Sequence, residues 1–143
     1  MMTRDFAQLF SRIALGIGFL FPVLDRLGFA GPPGQAAWGD WQHFVTYTHS
    51  LMPFVSSSIA HIAGLGATIA ECVLGVCLIA GFKVKWMGLG AAMLTLVFAL
   101  LMMAFLGISV PFRYPVFVFT GAGLLLYSLD TFKWSIDAFL KKN

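Results

Sequence analysis

Apolar residues in this chain run in long unbroken blocks separated by short polar clusters, with neither the strict alternation of a strand nor the one-sided pattern of a soluble helix. The blocks occupy residues 6–28, 59–82, 86–107 and 110–129. The first three each exceed the roughly 20 apolar residues needed to cross about 30 Å of hydrocarbon, and are predicted to be transmembrane helices. Pro111 and Pro115, with Arg113 between them, interrupt the start of the fourth. A helix from Tyr114 would hold only about 16 residues, short of the usual range, but a first-turn proline is tolerated and lets the span begin at Pro111. The predicted fold is all-α: a polytopic membrane protein, a four-helix transmembrane bundle forming one domain over residues 1–143. No soluble domain, low-complexity tract or internal repeat interrupts it. The N-terminal "MMTRDFAQLFSRIALG" leads into its apolar run without a small-residue cleavage site, so the first block reads as retained.

Two segments outside the blocks are amphipathic. Between the first and second blocks, Gly31, Pro32, Pro33 and Gly34 predict a turn. Asp40 then caps a short helix in which Trp41, Phe44, Val45, Thr48 and Met52 recur on one face until Pro53 ends it. Such a helix lies in the interface or covers the outer end of the bundle. At the C-terminus, "DTFKWSIDAFLKKN" places Phe132, Ile136, Phe139 and Leu140 on one face and Lys133, Asp137 and Lys141 on another, predicting an amphipathic tail on the inner leaflet.

Projecting the second span at about 100° per residue separates two faces. Ile62, Leu65, Ile69, Val73 and Val76 form a lipid face, whereas His61, Gly64, Thr68, Glu71 and Gly75 form a polar and glycine stripe that faces the bundle. Glu71 is the one carboxylate in the span, and an ionisable group at that depth costs about 2.5–3.5 kcal/mol on insertion scales, so it needs a partner or a function. In the first span Arg12, Gly16, Phe19, Val23 and Arg26 share a face. Counting axial rise from each span's centre puts Arg12 about 9 Å from the level of Glu71, a gap that two long side chains close. Arg12–Glu71 is the expected pair, with Arg26 as the alternative. The candidate ligand-binding set is therefore Arg12, Arg26, His61, Thr68 and Glu71, with Glu71 as the candidate proton-handling group. In the third span Gly88, Ala92, Thr95 and Ala99 make a small-residue stripe suited to close helix contact.

Composition agrees with a bilayer environment: 59% of residues are hydrophobic and 10% charged, against about 25% charged in soluble domains. The net charge of +3 is no nucleic-acid signal, because the basic residues cluster where spans end. Arg4, Arg12, Lys83, Lys85, Lys133, Lys141 and Lys142 fall on one side and Arg26 and Arg113 on the other. By the positive-inside rule both termini are cytoplasmic. Cys72 and Cys77, five residues apart on one helix, stand too far apart to bridge. His61 is the sole intramembrane histidine, so neither a bis-histidine haem nor a metal site is expected. Phosphate-loop, nucleophile-triad and dinucleotide signatures are absent from the sequence.

Two stretches resemble a known family. "SRIALGIGFLFPVLDRLGF" is similar to the first helix of DoxX-family membrane proteins, with its Arg, Leu-Gly, apolar run and basic residue before Leu. "AECVLGVCLIAGFKVKWMGLGAAML" resembles their second helix and the basic turn into the third. Arg12, Gly16, Arg26, Glu71, Gly75 and Gly81 match the pattern, while Pro22 stands where such proteins often have Gly and Arg26 replaces the commoner Lys. The resemblance implies a four-helix protein of the bacterial inner membrane, in a family linked to quinone-coupled thiosulfate oxidation and to membrane complexes that handle thiol or oxidative stress.

The expected function is accordingly a redox-associated membrane subunit, quinone- or thiol-linked, that binds a lipophilic ligand within the bundle beside a protein partner. The alternatives are a non-enzymatic membrane scaffold or assembly factor and, with less support, a small-molecule transporter.

Overall fold

The computed structural model describes residues 2–141; Lys142, counted above with the basic residues of the inner end, lies outside them. The described residues form seven helices and no strand. Three are candidate membrane spans, the mark of a membrane protein in a lipid bilayer: α1 (Met2–Arg26, 25 residues), α3 (Ser57–Ala80, 24 residues) and α4 (Val84–Phe105, 22 residues). The predicted fourth block divides into α5 (Val110–Arg113) and α6 (Val116–Ser128). Pro115 precludes a continuous helix, because its ring excludes the helical hydrogen bond and pushes Tyr114 to extended backbone, φ −105° and ψ 138°. With 13 residues, α6 is about 20 Å long.

The outer segment forms α2 (Trp41–Leu51), with Asp40 as N-cap accepting the His43 backbone N–H at 2.8 Å. Phe44, Val45, Thr48 and Leu51 are buried, so α2 packs its apolar face on the bundle. The predicted Met52 instead sits past the helix end as C-cap, and Leu51 takes the inward position. The C-terminal segment departs further from expectation. Only Ile136–Leu140 are helical (α7), and Phe132 leaves the predicted amphipathic face to enter the core at 8% exposure. Ile136, Phe139 and Leu140 remain exposed. The reason is local: Ser135 N-caps α7, accepting from Ala138 N at 3.0 Å, while Trp134 before it adopts a left-handed φ of 52° that no continuous helix permits.

The face assignment along α3 is observed except at its start, where His61, expected on the inward stripe, is exposed. Ile62, Leu65, Ile69, Val73 and Val76 are exposed, whereas Gly64, Thr68, Glu71 and Gly75 are buried. α1 and α3 pack through glycine: a Cβ on Gly16 would lie 2.9 Å from the Gly75 carbonyl oxygen, and one on Gly75 would lie 3.0 Å from that of Gly16. The stripe on α4 meets α6 in the same manner, and the Thr95 and Thr120 hydroxyls hydrogen-bond across the contact at 2.8 Å. Between these pairs Leu15, Phe19, Leu74, Leu78, Leu126 and Phe132 form the apolar core.

Gly123→Ala tests this close approach. The added Cβ would stand 2.6 Å from Gly88 O and 2.9 Å from Ala92 N, both backbone atoms that no rotamer change can move. The helices must part, at an expected overpacking cost of about 1–3 kcal/mol. Gly121→Ala, where nothing lies within 4 Å, serves as the neutral control. Thermal unfolding in detergent is expected to separate the two variants; equal midpoints would contradict the packing argument.

Candidate functional site

The buried charges divide the predicted site in two. At the end of the bundle covered by α2, Arg26 Nη2 lies 2.7 Å from Glu71 Oε2, with both side chains almost wholly buried. Arg26 Nη1 donates to Thr68 Oγ1 at 2.7 Å and Nε to the Pro22 carbonyl at 3.1 Å. Thr68 in turn donates to Gly64 O at 2.8 Å. The Phe44 ring of α2 covers the guanidinium carbon at 3.8 Å from its centroid, and Trp38 stands at 5.2 Å. Cation–π contact of this kind strengthens once water is excluded. Glu71 Oε2 is buried and has the guanidinium, at 2.7 Å, as its polar contact among the described residues. The contact is a charge pair that leaves a lone pair on that oxygen unmatched.

This arrangement corrects the expected Arg12–Glu71 pair. Side chains on an α-helix lean toward its N-terminus. Both arginines of α1 do so, for Arg26 Nε reaches back to Pro22 O and Arg12 Nη1 to Gln8 Oε1. That lean carries Arg26 toward Glu71 and Arg12 away from it. Glu71, on the antiparallel α3, leans toward Arg26 for the same reason. Counting Cα positions alone omits the displacement.

Arg12 occupies a different site at the opposite end. Its side chain is fully buried and all its donors are engaged: Nε on Leu78 O at 3.1 Å, Nη1 on Gln8 Oε1 and Lys133 O at 3.2 and 3.1 Å, and Nη2 on Ile79 O and Trp134 O at 3.3 and 3.2 Å. Leu78 and Ile79 belong to the last turn of α3, whose carbonyls lack intrahelical donors. Arg12 thus caps α3 and ties the C-terminal segment to it. Gly81 ends the helix at φ 74°, where a Cβ would collide with Arg12 Nη2 and Ser135.

His61 stands apart from the buried cluster. It is exposed, accepts the Trp41 indole N–H on Nε2 at 3.0 Å, and lines a cleft of about 400 Å³ between α2 and α3 with Gln42, Val45, Ser57 and Ser58. The outer polar residues do not converge on one point. Asp25 accepts the backbone N–H groups of Trp38 and Gly39 at 3.1 and 3.2 Å, holding the loop against α1. Asp40 pairs with His43, whose backbone and side-chain hydrogen bonds keep its carboxyl below the usual carboxylate range. Arg113 is exposed on α5. Among the described residues no three His, Cys, Asp or Glu side chains come together as metal donors, and Cys72 and Cys77 are both free thiols.

The sequence reading placed Arg26, Thr68 and Glu71 correctly on facing stripes, and the structure brings these three together. It missed Phe44 and Trp38 as the cover of the guanidinium; their aromatic spacing marked the helix as apolar without showing what it covers. It also missed the capping roles of Arg12 and Asp25. Comparison of the chain with family models, curated proteins and solved structures returns no match.

Proposed function

We propose that this chain is a DoxX-like, redox-associated protein of the bacterial inner membrane that binds a quinone-type ligand at the Arg26–Thr68–Glu71 cluster. The observation that carries this reading is the buried Glu71 Oε2, whose one polar contact among the described residues is Arg26 Nη2. A quinol hydroxyl supplies a second donor to this oxygen. The guanidinium has five N–H groups; those aimed at Pro22, Thr68 and Glu71 leave two without a partner among the described residues, available to a quinone carbonyl. Trp38, 5.2 Å from the guanidinium, is the aromatic neighbour for the ring, which would enter from the cleft between α2 and α3 by displacing Phe44 from the guanidinium. In this reading oxidation of a quinol releases two protons and two electrons: Glu71 receives one proton, the other leaves to water at the outer end of the bundle, and both electrons pass to a redox centre of a protein partner in the same complex.

The topology belongs to the same proposal. α5 and α6 together make the fourth crossing, which returns the chain to the side where α1 begins. The Arg4 to Thr131 contact at 2.9 Å and the Lys133 to Asp5 contact at 2.8 Å, which join the two ends of the chain, support an even number of crossings. The excess of Lys and Arg at that end makes it cytoplasmic.

A second reading is supported by the closed packing of Phe44 on Arg26, which links α2 to α1 and α3. Here the cluster is a static clamp in a membrane scaffold or assembly factor, and α2 receives the partner. A transporter has the least support, since α1, α3 and α4 each run unbroken through their length.

The test is quinone titration of the purified protein in phosphatidylcholine nanodiscs, read by tryptophan fluorescence, for Trp38 lies beside the cluster. The wild type is expected to show saturable quenching that Trp38→Phe reduces. The double variant Arg26→Met/Glu71→Leu, which removes both charges together, is expected to stay folded and to lose the quenching. Unsaturable quenching in the wild type, or saturable quenching retained by the double variant, would sink the ligand reading in favour of the clamp.

A further inference from the structure

The end of the bundle opposite α2 carries a second cleft, of about 720 Å³, between the α3–α4 turn and the C-terminal segment. Lys83, Lys85, Lys133 and Lys141 line it, against the carboxylates of Asp130 and Asp137. Both aspartates are committed to the protein. Asp130 pairs with Lys85 at 2.8 Å, and Asp137 accepts the backbone N–H groups of Lys83 and Val84 at 2.7 and 2.8 Å. Lys133 pairs with Asp5 at 2.8 Å. Among the described residues Lys83 and Lys141 form no salt bridge, and the four lysines exceed the carboxylates of Asp130, Asp137 and Asp5 by one, so the cleft holds a net positive charge.

Its backbone is also strained. The two non-glycine residues with positive φ among those described are Lys83 at 47° and Trp134 at 52°, and both flank this cleft. Such conformations cost stability and persist where surrounding contacts impose them, commonly at ligand clamps. Asp137 holds Lys83 in place, and Arg12 accepts the task for Trp134 by donating to its carbonyl. The wall of the cleft is amphipathic: Trp86, 59% exposed, begins the lipid-facing stripe of α4 that continues through Met93, Val97 and Leu100.

We propose that this cleft is a binding site for an anionic phospholipid, whose headgroup phosphate lies between Lys83 and Lys141 and whose acyl chains follow the exposed face of α4 from Trp86. Lysines supply the charge, and their place at the end of a spanning helix is where headgroups lie. A soluble phosphate compound would meet the same lysines but would leave the Trp86 stripe without a role. The site shares no residue with the Arg26 cluster and stands independently of the quinone reading.

The experiment uses the full chain in phosphatidylcholine nanodiscs containing a minor fraction of phosphatidylglycerol, with bromine on the acyl chains of one lipid or the other. Bromine quenches nearby indole, and subtracting a Trp86→Phe sample isolates the Trp86 signal. At equal mole fraction, brominated phosphatidylglycerol is expected to quench Trp86 more than brominated phosphatidylcholine. Lys83→Gln or Lys141→Gln, both at exposed side chains, is expected to lower that preference about fivefold each. Arg4→Gln removes a charge from the same end of the bundle; Arg4 reaches the cleft only through its hydrogen bond to Thr131 at the rim, and its loss is expected to leave the preference nearly intact. Equal quenching by the two lipids overturns the proposal. So does an equal loss in Arg4→Gln and Lys83→Gln, which would indicate diffuse attraction to a basic surface. Displacement of the lipid by inorganic phosphate at matched ionic strength would overturn it in favour of a soluble phosphate ligand.

Discussion

Glu71→Leu is expected to destabilise the folded bundle by about 3–5 kcal/mol, the usual result of removing one partner from a buried ion pair. The variant leaves the Arg26 guanidinium fully buried beneath Phe44, hydrogen-bonded to Thr68 and Pro22 and without a counter-charge. Arginine does not relieve this by losing a proton. Arg26→Met is expected to cost less, since a carboxyl left alone neutralises by taking one up. The double variant should recover most of the loss, because replacing both members of a buried pair with apolar residues of similar size is often neutral or stabilising. Reversible unfolding in mixed micelles orders the four proteins. A double variant as unstable as Glu71→Leu would mean that the pair itself, and not the unpaired charge, holds α1 to α3.

Arg12→Leu is expected to have a still larger effect. Five oxygens, on Leu78, Ile79, Gln8, Lys133 and Trp134, receive its donors. A buried acceptor left without a donor costs about 1–3 kcal/mol, and partial exposure to water at the bundle end lowers the sum. The loss is nevertheless distributed over the α3 C-terminus and the whole turn into α7. Arg12→Lys restores the charge but not the planar fork, and a compact ammonium cannot reach five acceptors on three chain segments. It is therefore expected to recover less than half of the stability. Limited proteolysis provides the structural readout: trypsin should cut at Lys133 rapidly in Arg12→Leu and slowly in the wild type. Unchanged cleavage would show that Phe132 and the Lys133–Asp5 pair hold the segment without Arg12.

The two arginines show how far sequence reasoning extends. Helical periodicity placed Arg12 and Arg26 on one face of α1, and Glu71 and Thr68 on the facing stripe of α3, because the period of a helix depends on backbone geometry alone. Choosing between the arginines required the register of α1 against α3. That register is set where Gly16 meets Gly75, with the side-chain lean acting in opposite senses on antiparallel helices. A pattern within one helix carries no information about the axial offset of another.

The terminal segment failed for a related reason. Phe132, Ile136, Phe139 and Leu140 fit an amphipathic helix, yet the long-range contacts of Lys133 O and Trp134 O with Arg12 outweigh the local preference and turn Phe132 into the core. The break between α5 and α6 was written locally, in Pro115, whereas Pro111 is accommodated in the first turn of α5.

The sequence by itself determined that the chain is helical, that at least three of its helices are apolar enough for a bilayer, and which large aliphatic face of α3 stays exposed. These properties follow from block length and from a period of about 3.6 residues, both local. Tertiary structure alone decided that Arg26 pairs with Glu71, that α2 covers the pair with Phe44, and that Arg12 joins the ends of the chain. Each depends on contacts between residues far apart in sequence, where helix offset and side-chain direction, rather than pattern, select the partner.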